Sequence, residues 1–358
     1  MERDSLVELP AALSAQPSRP HARYVMGVDG GATKTLAAVL DLGAADGTGQ
    51  RALHLGHGGP SNQDAVGSQA AVAELLRAAD EAIAGAGIDA GELCAAVLAI
   101  AGTDTEDVAR NVRAARTDAW LVVNDVVGAW ATATGGGPGV AAIAGTGSNV
   151  FGVGADARAW RAGGWGHTLG DEGSGYWLGV QSIKAALRDR EASGPATALS
   201  DALPAFFGES SVEAVAARVY SKPLTKGEIA AFAIETAKLA ERGDAVAREL
   251  YERGARELGE QIAAVIRQTG LAEPSGDGDG DGGQEFPVGL IGSAFKAGRV
   301  FVQPLSETIH ACAPNARVET VEMAPVGGSL LLAARMCGKA EEIAAKDLAE
   351  LIEQALRG

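Results

Sequence analysis

Two acidic residues, Asp29 and Asp125, are the side chains of this sequence best suited to chemistry. Asp29 follows the apolar run Tyr24–Val28 and precedes two glycines. A carboxylate beside a phosphate-binding turn would be repelled unless a divalent cation lay between them, and Mg²⁺ bridges carboxylates to substrate phosphates. We therefore predict that Asp29 is a magnesium ligand. A carboxylate that only closes a tight turn would fit the same position.

Asp125 follows the apolar run Leu121–Val123 in an Asn-Asp dipeptide. Reactive groups gather at the carboxyl ends of strands in α/β folds. A carboxylate there can accept the proton of a substrate hydroxyl as the hydroxyl attacks phosphorus. Asp also suits the N-cap of a helix over Val126–Thr134. The residues alone favour the cap at least as strongly as the base.

Two glycine turns could hold a phosphate chain. Val28–Thr35 reads Val-Asp-Gly-Gly-Ala-Thr-Lys-Thr, and Ala144–Asn149 reads Ala-Gly-Thr-Gly-Ser-Asn; each lies between apolar, strand-like runs. Such turns leave backbone N–H groups free to point at an anion. Neither is a Walker A loop. The residues predicted to contact nucleotide phosphates are Gly30, Gly31, Thr33, Lys34, Thr35, Thr146, Gly147 and Ser148.

A third glycine-rich segment, Gly163–Gly175, contains the adjacent acids Asp171 and Glu172. Its composition suits a backbone that comes close to a ligand. The two acids could accept hydrogen bonds from sugar hydroxyls or an ammonium group. They would equally suit the start of a helix, where negative charge is favourable.

Two polar loops follow predicted strands and could line a pocket for a polar ligand. Their candidate substrate-binding residues are Ser61, Asn62, Asp64, Thr103 and Asp104.

Bulk composition excludes several classes of partner. The net charge of −16 argues against nucleic acid and against an anionic membrane surface. No uncharged apolar run reaches the ~18 residues of a membrane span, and the N-terminus does not resemble a signal peptide. The sparse cysteines, Cys94, Cys312 and Cys337, predict a reducing cytoplasm, with Cys94 and Cys337 buried and inert.

The order of elements predicts two α/β domains, with a hinge at the glycine-rich break 135–139. Helical spacing predicts a helix over Ser68–Gly85 with Ser68 as its cap, and Trp160–Gly175 is expected to be a loop. The predicted divisions are a tail at 1–23, a first domain of 24–136 plus 340–358, a second domain of 137–339, and a flexible acidic loop at 272–284.

The ordered motifs resemble the N-acetylglucosamine kinase and BadF/BadG-type ATPase family, within the sugar kinase, Hsp70 and actin superfamily. Besides the two glycine turns, the resemblance rests on Gly-Gly-Pro-Ser-Asn, Asn-Asp, Gly-Gly-Trp-Gly-x-x-Leu-Gly-Asp-Glu-Gly-Ser-Gly and Gly-Ser-x-Phe-Lys, and it spans Tyr24 to about Arg335. It implies two ribonuclease-H-like domains with ATP in the cleft between them.

The resemblance also implies roles for individual residues. It makes Asp125 the base on the sugar 6-hydroxyl, which shifts the balance from cap to base. It places Thr33 and Thr146 on the phosphates. The residues it places near the adenosine are Gly292, Ser293 and Lys296, and those around the sugar are Asn62, Asp125, Gly164 and Asp171.

One departure bears on the sugar. The matched N-acetylglucosamine kinases carry an aromatic residue where this chain has Asp64, and the next loop contributes Asp104. A carboxylate suits a free ammonium group, a contact worth roughly 1.5–3 kcal/mol. The sequence therefore predicts a glucosamine kinase of the actinobacterial type that uses ATP and Mg²⁺. The alternatives are an N-acetylglucosamine kinase and an activator ATPase that holds an iron–sulfur cluster. The expected partner is a small amino sugar, and the sequence leaves a homodimer open.

Overall fold

The computed structural model describes residues 23–43, 51–102, 106–116, 120–221, 224–273 and 284–357, together with Leu13 and His21. Most of the predicted N-terminal tail and of the predicted acidic loop lies outside the described residues. So do the candidates Thr103 and Asp104, and the side chain of Asp64.

The chain forms two α/β units. The first contains residues up to Pro138, the short segment Asp156–Ala159 and everything from Val321 onward; the second contains Gly139–Ala155 and Trp160–Thr320. The boundary near 138 lies within the predicted hinge. The return to the first unit comes at 321, earlier than the 340 predicted from the sequence, so the assignment of 321–339 to the second domain is corrected.

Each unit is built on one five-stranded sheet, with the orders β3-β2-β1-β4-β5 and β10-β9-β6-β7-β8. In both sheets the central strand, β1 or β6, pairs antiparallel with the strand that follows it and parallel with a strand from later in the chain. The strands are β1 (Tyr24–Gly30), β2 (Thr35–Asp41), β3 (Leu53–Gly58), β4 (Leu93–Ile100), β5 (Trp120–Asn124), β6 (Gly139–Ala144), β7 (Ser148–Val153), β8 (Ala159–Gly163), β9 (Phe286–Ile291) and β10 (Ala316–Thr320).

Helices cover both sheets. They are α1 (Gln63–Val66), α2 (Ser68–Gly85), α3 (Glu106–Ala115), α4 (Asp125–Thr134), α5 (Gly175–Arg190), α6 (Leu199–Phe207), α7 (Val212–Ser221), α8 (Lys226–Glu241), α9 (Ala245–Gln268), α10 (Arg299–Cys312), α11 (Val326–Met336) and α12 (Ala345–Arg357). Short 3₁₀ turns lie at Ala90–Glu92, Ser293–Ala297 and Ala340–Glu342.

In the first unit, α2 covers one face of the sheet and contributes Leu75 and Ala79 to a core that includes Met26 and Leu98. The helix spans the residues predicted for it, because its buried positions recur at helical spacing. The residue at its N-cap position is Gly67, and Ser68 is the first residue of the helix. The expectation that Ser68 caps the helix was therefore wrong.

Helix α11 explains the early return to the first unit. Its Ser329 hydroxyl donates a hydrogen bond of 2.9 Å to the Val28 carbonyl of β1, and both groups are buried. Thr132 of α4 accepts a hydrogen bond of 3.1 Å from the Gly328 amide. These contacts bind α11 to β1 and α4.

In the second unit, a buried cluster joins the sheet to α5, α8, α9 and α10. Helix α10 contains Pro304, although proline is unfavourable in helix interiors. Its Phe301, Leu305 and Ile309 are nevertheless buried at intervals of four residues. Strand β8 occupies the start of the segment expected to be a loop throughout.

Cys94 of β4 is joined to Cys337, at the end of α11, by a disulfide with a Cα–Cα distance of 6.5 Å. Cys337 is buried as predicted, but the two cysteines are bonded to each other, which the sequence did not predict. The two cysteines are 243 residues apart in sequence, and only the fold brings them together. The disulfide also removes the cysteine-based argument for a reducing compartment.

Among the helices in the described ranges, none has the length and apolar character needed to cross a membrane.

Candidate active site

The first unit gathers its two candidate acids at one edge of its sheet. Strands β1, β4 and β5 are parallel, and their register places Gly30, Ile100 and Asn124 side by side in one row. Asp29 precedes the first of these residues and Asp125 follows the last. With strands spaced about 4.8 Å apart, the backbones of the outer two residues lie roughly 10 Å from each other. The structure therefore brings Asp29 and Asp125 to a common edge.

Asp125 is the first residue of α4, and its neighbour provides the cap. The Asn124 side-chain oxygen accepts a hydrogen bond of 3.2 Å from the Val126 amide. The cap interpretation of Asp125 was therefore wrong. A negative charge in the first turn is favourable beside the helix N-terminus, which supports a carboxylate at this position.

The turn between β1 and β2 is held by backbone hydrogen bonds. The Gly31 carbonyl accepts bonds of 3.0 Å from the Ser61 amide and 3.2 Å from the Asn62 amide, and the Gly31 amide donates to the Lys34 carbonyl at 3.0 Å. Thr33 and Lys34 are exposed. This turn therefore presents one hydroxyl and one cationic side chain to solvent.

Two other candidates have different surroundings. Thr35 and Ser61 are buried, and their hydroxyl oxygens lie 2.8 Å apart. Thr35 also donates to the Gly59 carbonyl at 2.7 Å. A Cβ on Gly30 would lie 2.4 Å from the Ser61 hydroxyl. The structure thus gives Thr35 and Ser61 protein partners that join the turn to the 59–62 loop, where the sequence predicted ligand contacts.

Asp29 lies in an environment that suits a cation. The side chain is half-buried, and burial raises its pKa to about 6, an effect that the Lys34 charge partly opposes. A divalent cation would supply the positive charge that the buried carboxylate lacks. Within the described residues no group of three or more His, Cys, Asp or Glu could hold a metal. A Mg²⁺ ion held by Asp29 would need water and substrate phosphates for most of its ligands.

The turn between β6 and β7 is held by a carboxylate. The Ser148 amide donates a hydrogen bond of 3.1 Å to Asp171 Oδ1, and the Ser148 hydroxyl donates to the Glu172 carbonyl at 2.9 Å. A Cβ on Gly147 would lie 3.1 Å from the same Asp171 oxygen. Because Gly147 has no side chain, the Asp171 carboxylate can approach this turn closely and accept its hydrogen bond.

Asp171 combines an uncommon backbone conformation with a raised carboxyl pKa. Its φ of 65° lies in the left-handed region, where non-glycine residues are uncommon. Burial raises the pKa of its carboxyl, and the Ser148 amide together with the charges of Lys226 and His167 opposes that increase. Only 9% of the residue is exposed. Asp171 contacts the predicted nucleotide turn directly, a contact that the sequence prediction of a sugar ligand did not include.

The glycine loop, Gly163–Gly175, follows β8. Gly163 and Gly164 have φ of 73° and 70°, and Gly164 lies against the Asn149 side chain of β7. At the far end, Gln261 of α9 donates a hydrogen bond of 2.9 Å to the Glu172 carboxylate. Gln261 was missed in the sequence because a single glutamine in a long helix carries no local signal of a role.

The remaining nucleotide candidates follow β9. Gly292 packs against β6, where a Cβ would lie 2.3 Å from the Ala144 carbonyl oxygen. The 3₁₀ turn Ser293–Ala297 buries Ala294 and Phe295 and leaves Ser293 and Lys296 exposed. Ser293 and Lys296 thus share the exposed side of a turn that is anchored in the core.

A family model described as the BadF/BadG/BcrA/BcrD ATPase family matches residues 26–333. The chain belongs to this ATPase family. A Clostridium acetobutylicum N-acetylmuramic acid/N-acetylglucosamine kinase is 32% identical over 249 residues, which cover 68% of this chain and 79% of that protein. A Dictyostelium discoideum N-acetyl-D-glucosamine kinase is 28% identical over 331 residues, covering 86% and 97% of the two chains.

The fold is similar to that of a Chromobacterium violaceum candidate N-acetylglucosamine kinase of known structure. The TM-score is 0.65 at 25% identity, over 88% of this chain and all of the other. The comparisons confirm the predicted family, the predicted fold of two ribonuclease-H-like, actin-like ATPase units, and the predicted enzyme class, an ATP-dependent sugar kinase.

Proposed function

We propose that this protein transfers the γ-phosphoryl group of ATP to the 6-hydroxyl of N-acetylglucosamine. The amino sugar is supported by the names of the relatives, which are kinases of N-acetylated amino sugars. The glucosamine preferred in the sequence analysis becomes the second candidate, because none of these relatives is named for it.

The observation that carries the chemistry is the shared edge of β1, β4 and β5. A kinase needs a group that orients the acceptor hydroxyl and an environment that stabilises the charge on the transferred phosphoryl group. The parallel register places Asp29 and Asp125 at one edge, so a single unit offers one acid for each task.

In this proposal Asp125 accepts the proton of the 6-hydroxyl as its oxygen attacks phosphorus. The Asn124 cap supports this role because it fixes the start of α4, where Asp125 is the first residue. The family resemblance further implies Asn62 and Gly164 as contacts of the sugar.

The phosphates are assigned to Thr33 and Lys34, which are exposed, and to Thr146. Gly292, Ser293 and Lys296 are assigned to the adenosine. Asp29 would hold Mg²⁺, which when bound supplies positive charge to the phosphate oxygens.

Glucosamine remains a second candidate because of one feature of the sequence. Asp64 stands where the family resemblance implies an aromatic residue in N-acetylglucosamine kinases. A carboxylate would form a charge-assisted hydrogen bond with a free 2-ammonium group, which is stronger than one with the neutral N–H of an acetamide.

The activator-ATPase alternative has little support from the cysteines. Such proteins need cysteine ligands for an iron–sulfur cluster. Here Cys94 and Cys337 are bonded to each other, which leaves Cys312 alone.

The proposal is tested by ADP release from ATP and Mg²⁺ with N-acetylglucosamine, N-acetylmuramic acid, glucosamine and glucose, compared by kcat/KM. We expect N-acetylglucosamine to give the highest value and the phosphate to be found on its 6-hydroxyl. A higher value for glucosamine would establish the second candidate. Failure of every sugar to stimulate ADP release would refute the proposal.

A further inference from the structure

Gln261 of α9 contacts both ends of the glycine loop. Its Nε2 donates a hydrogen bond of 2.9 Å to Glu172 Oε2. Its Oε1 lies so close to Gly163 that a Cβ there would be 2.4 Å away. Gly163 and Glu172 are nine residues apart in sequence, and one amide group lies against both. Gly163 has to be glycine for the amide to take this position.

The contact acts on the side chain of Glu172 because the backbone of Glu172 is held separately. The Glu172 carbonyl accepts the Ser148 hydroxyl at 2.9 Å, so β7 holds the main chain. In the described part of the chain, Gln261 is the one side chain that donates a hydrogen bond to the Glu172 carboxylate. The orientation of that carboxylate therefore depends on Gln261.

The surroundings favour a neutral donor at position 261. Glu257 lies one turn earlier on α9, and burial raises the pKa of its carboxyl, with a further contribution from the Glu172 charge and opposition from Arg253. A carboxylate at 261 would be a third negative group in this region. An apolar side chain would leave Glu172 without its donor. Glutamine meets both requirements.

The observed orientation of the amide places its donor on Glu172. If it were turned over, its carbonyl would face the Glu172 carboxylate, and two acceptors repel each other. In the observed orientation, Gln261 Oε1 is buried and accepts no hydrogen bond from the described residues. A buried acceptor without a partner costs about 1–3 kcal/mol. The protein tolerates this cost to keep Nε2 on Glu172.

We propose that Gln261 is a positioning residue for sugar binding, which acts by orienting the Glu172 carboxylate and fixing Gly163 and Gly164 at the start of the loop. This inference rests on the proposed function, in which the loop binds the amino sugar. It assigns a role to a residue on α9 that contacts no nucleotide candidate.

The test compares Gln261→Met, which keeps the length of the side chain and removes the donor, with Gln261→Glu, which keeps the shape and adds a charge. Gln268→Met, at the exposed end of the same helix, is the matched control. We expect KM for the sugar to rise about tenfold in Gln261→Met, as for the loss of a hydrogen bond to a charged group, and further in Gln261→Glu. KM for ATP should change by less than about twofold in both variants, because the proposed role concerns the sugar. General damage to the enzyme would instead raise both KM values.

A second measurement does not depend on turnover. Hydrogen–deuterium exchange of residues 163–175 in the ligand-free protein should be faster in both Gln261 variants than in the wild type and in Gln268→Met. Unchanged exchange in the loop would overturn the inference, and so would equal increases in the KM values for sugar and ATP. If the wild type phosphorylates no sugar, the proposed function fails, and the exchange result still decides whether Gln261 positions the loop.

Discussion

The two units use the same sheet topology but tie their central turns differently. In the first unit, the carbonyl of Gly31 accepts hydrogen bonds from the amides of Ser61 and Asn62. In the second, the amide of Ser148 donates to the carboxylate of Asp171. The first turn is held by backbone hydrogen bonds and by the hydroxyls of Thr35 and Ser61, and the second uses an acid.

The acids of the two units accordingly have different surroundings. Asp171 is bonded to its own turn. Asp29 lies beside its turn with a raised pKa and, among the described groups, only Lys34 as a compensating influence. Asp125 is relieved of capping by Asn124. Asp171 is thus part of the hydrogen bonding of its unit's turn, whereas Asp29 and Asp125 are the acids proposed for metal and substrate.

The largest expected effect is on turnover in Asp125→Asn. The amide cannot accept the hydroxyl proton, so kcat should fall by roughly 10²–10⁴-fold, the usual contribution of a general base. Asn preserves the shape, so sugar binding measured by calorimetry should be retained. Asp347→Asn, which also removes an acid from the first turn of a helix, is the control for the lost helix-dipole interaction. A kcat close to that of the wild type would show that Asp125 is not the base.

The second prediction concerns a cross-link found only in the first unit among the described residues. Reduction of Cys94–Cys337 should lower the free energy of unfolding by about 2–4 kcal/mol, because the bond restricts the unfolded chain. Urea unfolding with and without reductant measures this change. Cys312→Ala should show the same dependence on reductant as the wild type, since Cys312 is a free thiol. If reductant has no effect, the two cysteines are not joined in solution.

Local pattern predicted the elements better than it predicted their partners. The strand–glycine–strand pattern at Val28–Thr35 and the apolar spacing within Ser68–Gly85 are local, and the structure has the hairpin and helix they predict. The disulfide between Cys94 and Cys337 joins residues far apart in sequence, and no local pattern predicts it. The same is true of α11, whose apolar residues predict a helix but not the sheet against which it packs.

The candidate site shows the same limit. Asp125 could be placed after a strand, but the choice between cap and base depended on where Asn124 directs its side chain. Thr35 and Ser61 have suitable chemistry for a ligand site, yet they are buried against each other. The role of Gln261 requires the distance between α9 and the glycine loop. Residue type indicates what a side chain can do, and tertiary contacts decide whether it is available.

The third prediction tests how much the charged form of Asp29 lowers the free energy of unfolding. Its folded pKa of about 6 lies above the value of about 3.9 expected for the unfolded chain. The folded protein therefore binds more protons between these values, and stability falls as pH rises through the window. At about 1.4 kcal/mol per pKa unit, the cost above pH 6 approaches roughly 3 kcal/mol.

Asp29→Asn should remove that cost in protein free of metal and nucleotide. The variant should unfold at higher urea concentration than the wild type at pH 7.5, and the difference should shrink towards zero at pH 4. Its kinase activity should be lost, because the amide is a poor replacement for a magnesium ligand. Equal stability of the two proteins at pH 7.5 would mean that the carboxylate is better solvated than its position indicates.

The smallest expected effect concerns Asp171. It separates the left-handed backbone conformation of this residue from its role as a hydrogen-bond acceptor. Asn tolerates the left-handed region better than most residues and can still accept the hydrogen bond from Ser148, so Asp171→Asn should change stability by less than about 1 kcal/mol. Ala loses the acceptor and must occupy a φ of 65°, so Asp171→Ala should cost about 1–3 kcal/mol more. Urea unfolding of both variants at pH 7.5 measures the difference. If Asn and Ala were equally destabilising, the negative charge of Asp171, which both variants lack, would be what holds the turn.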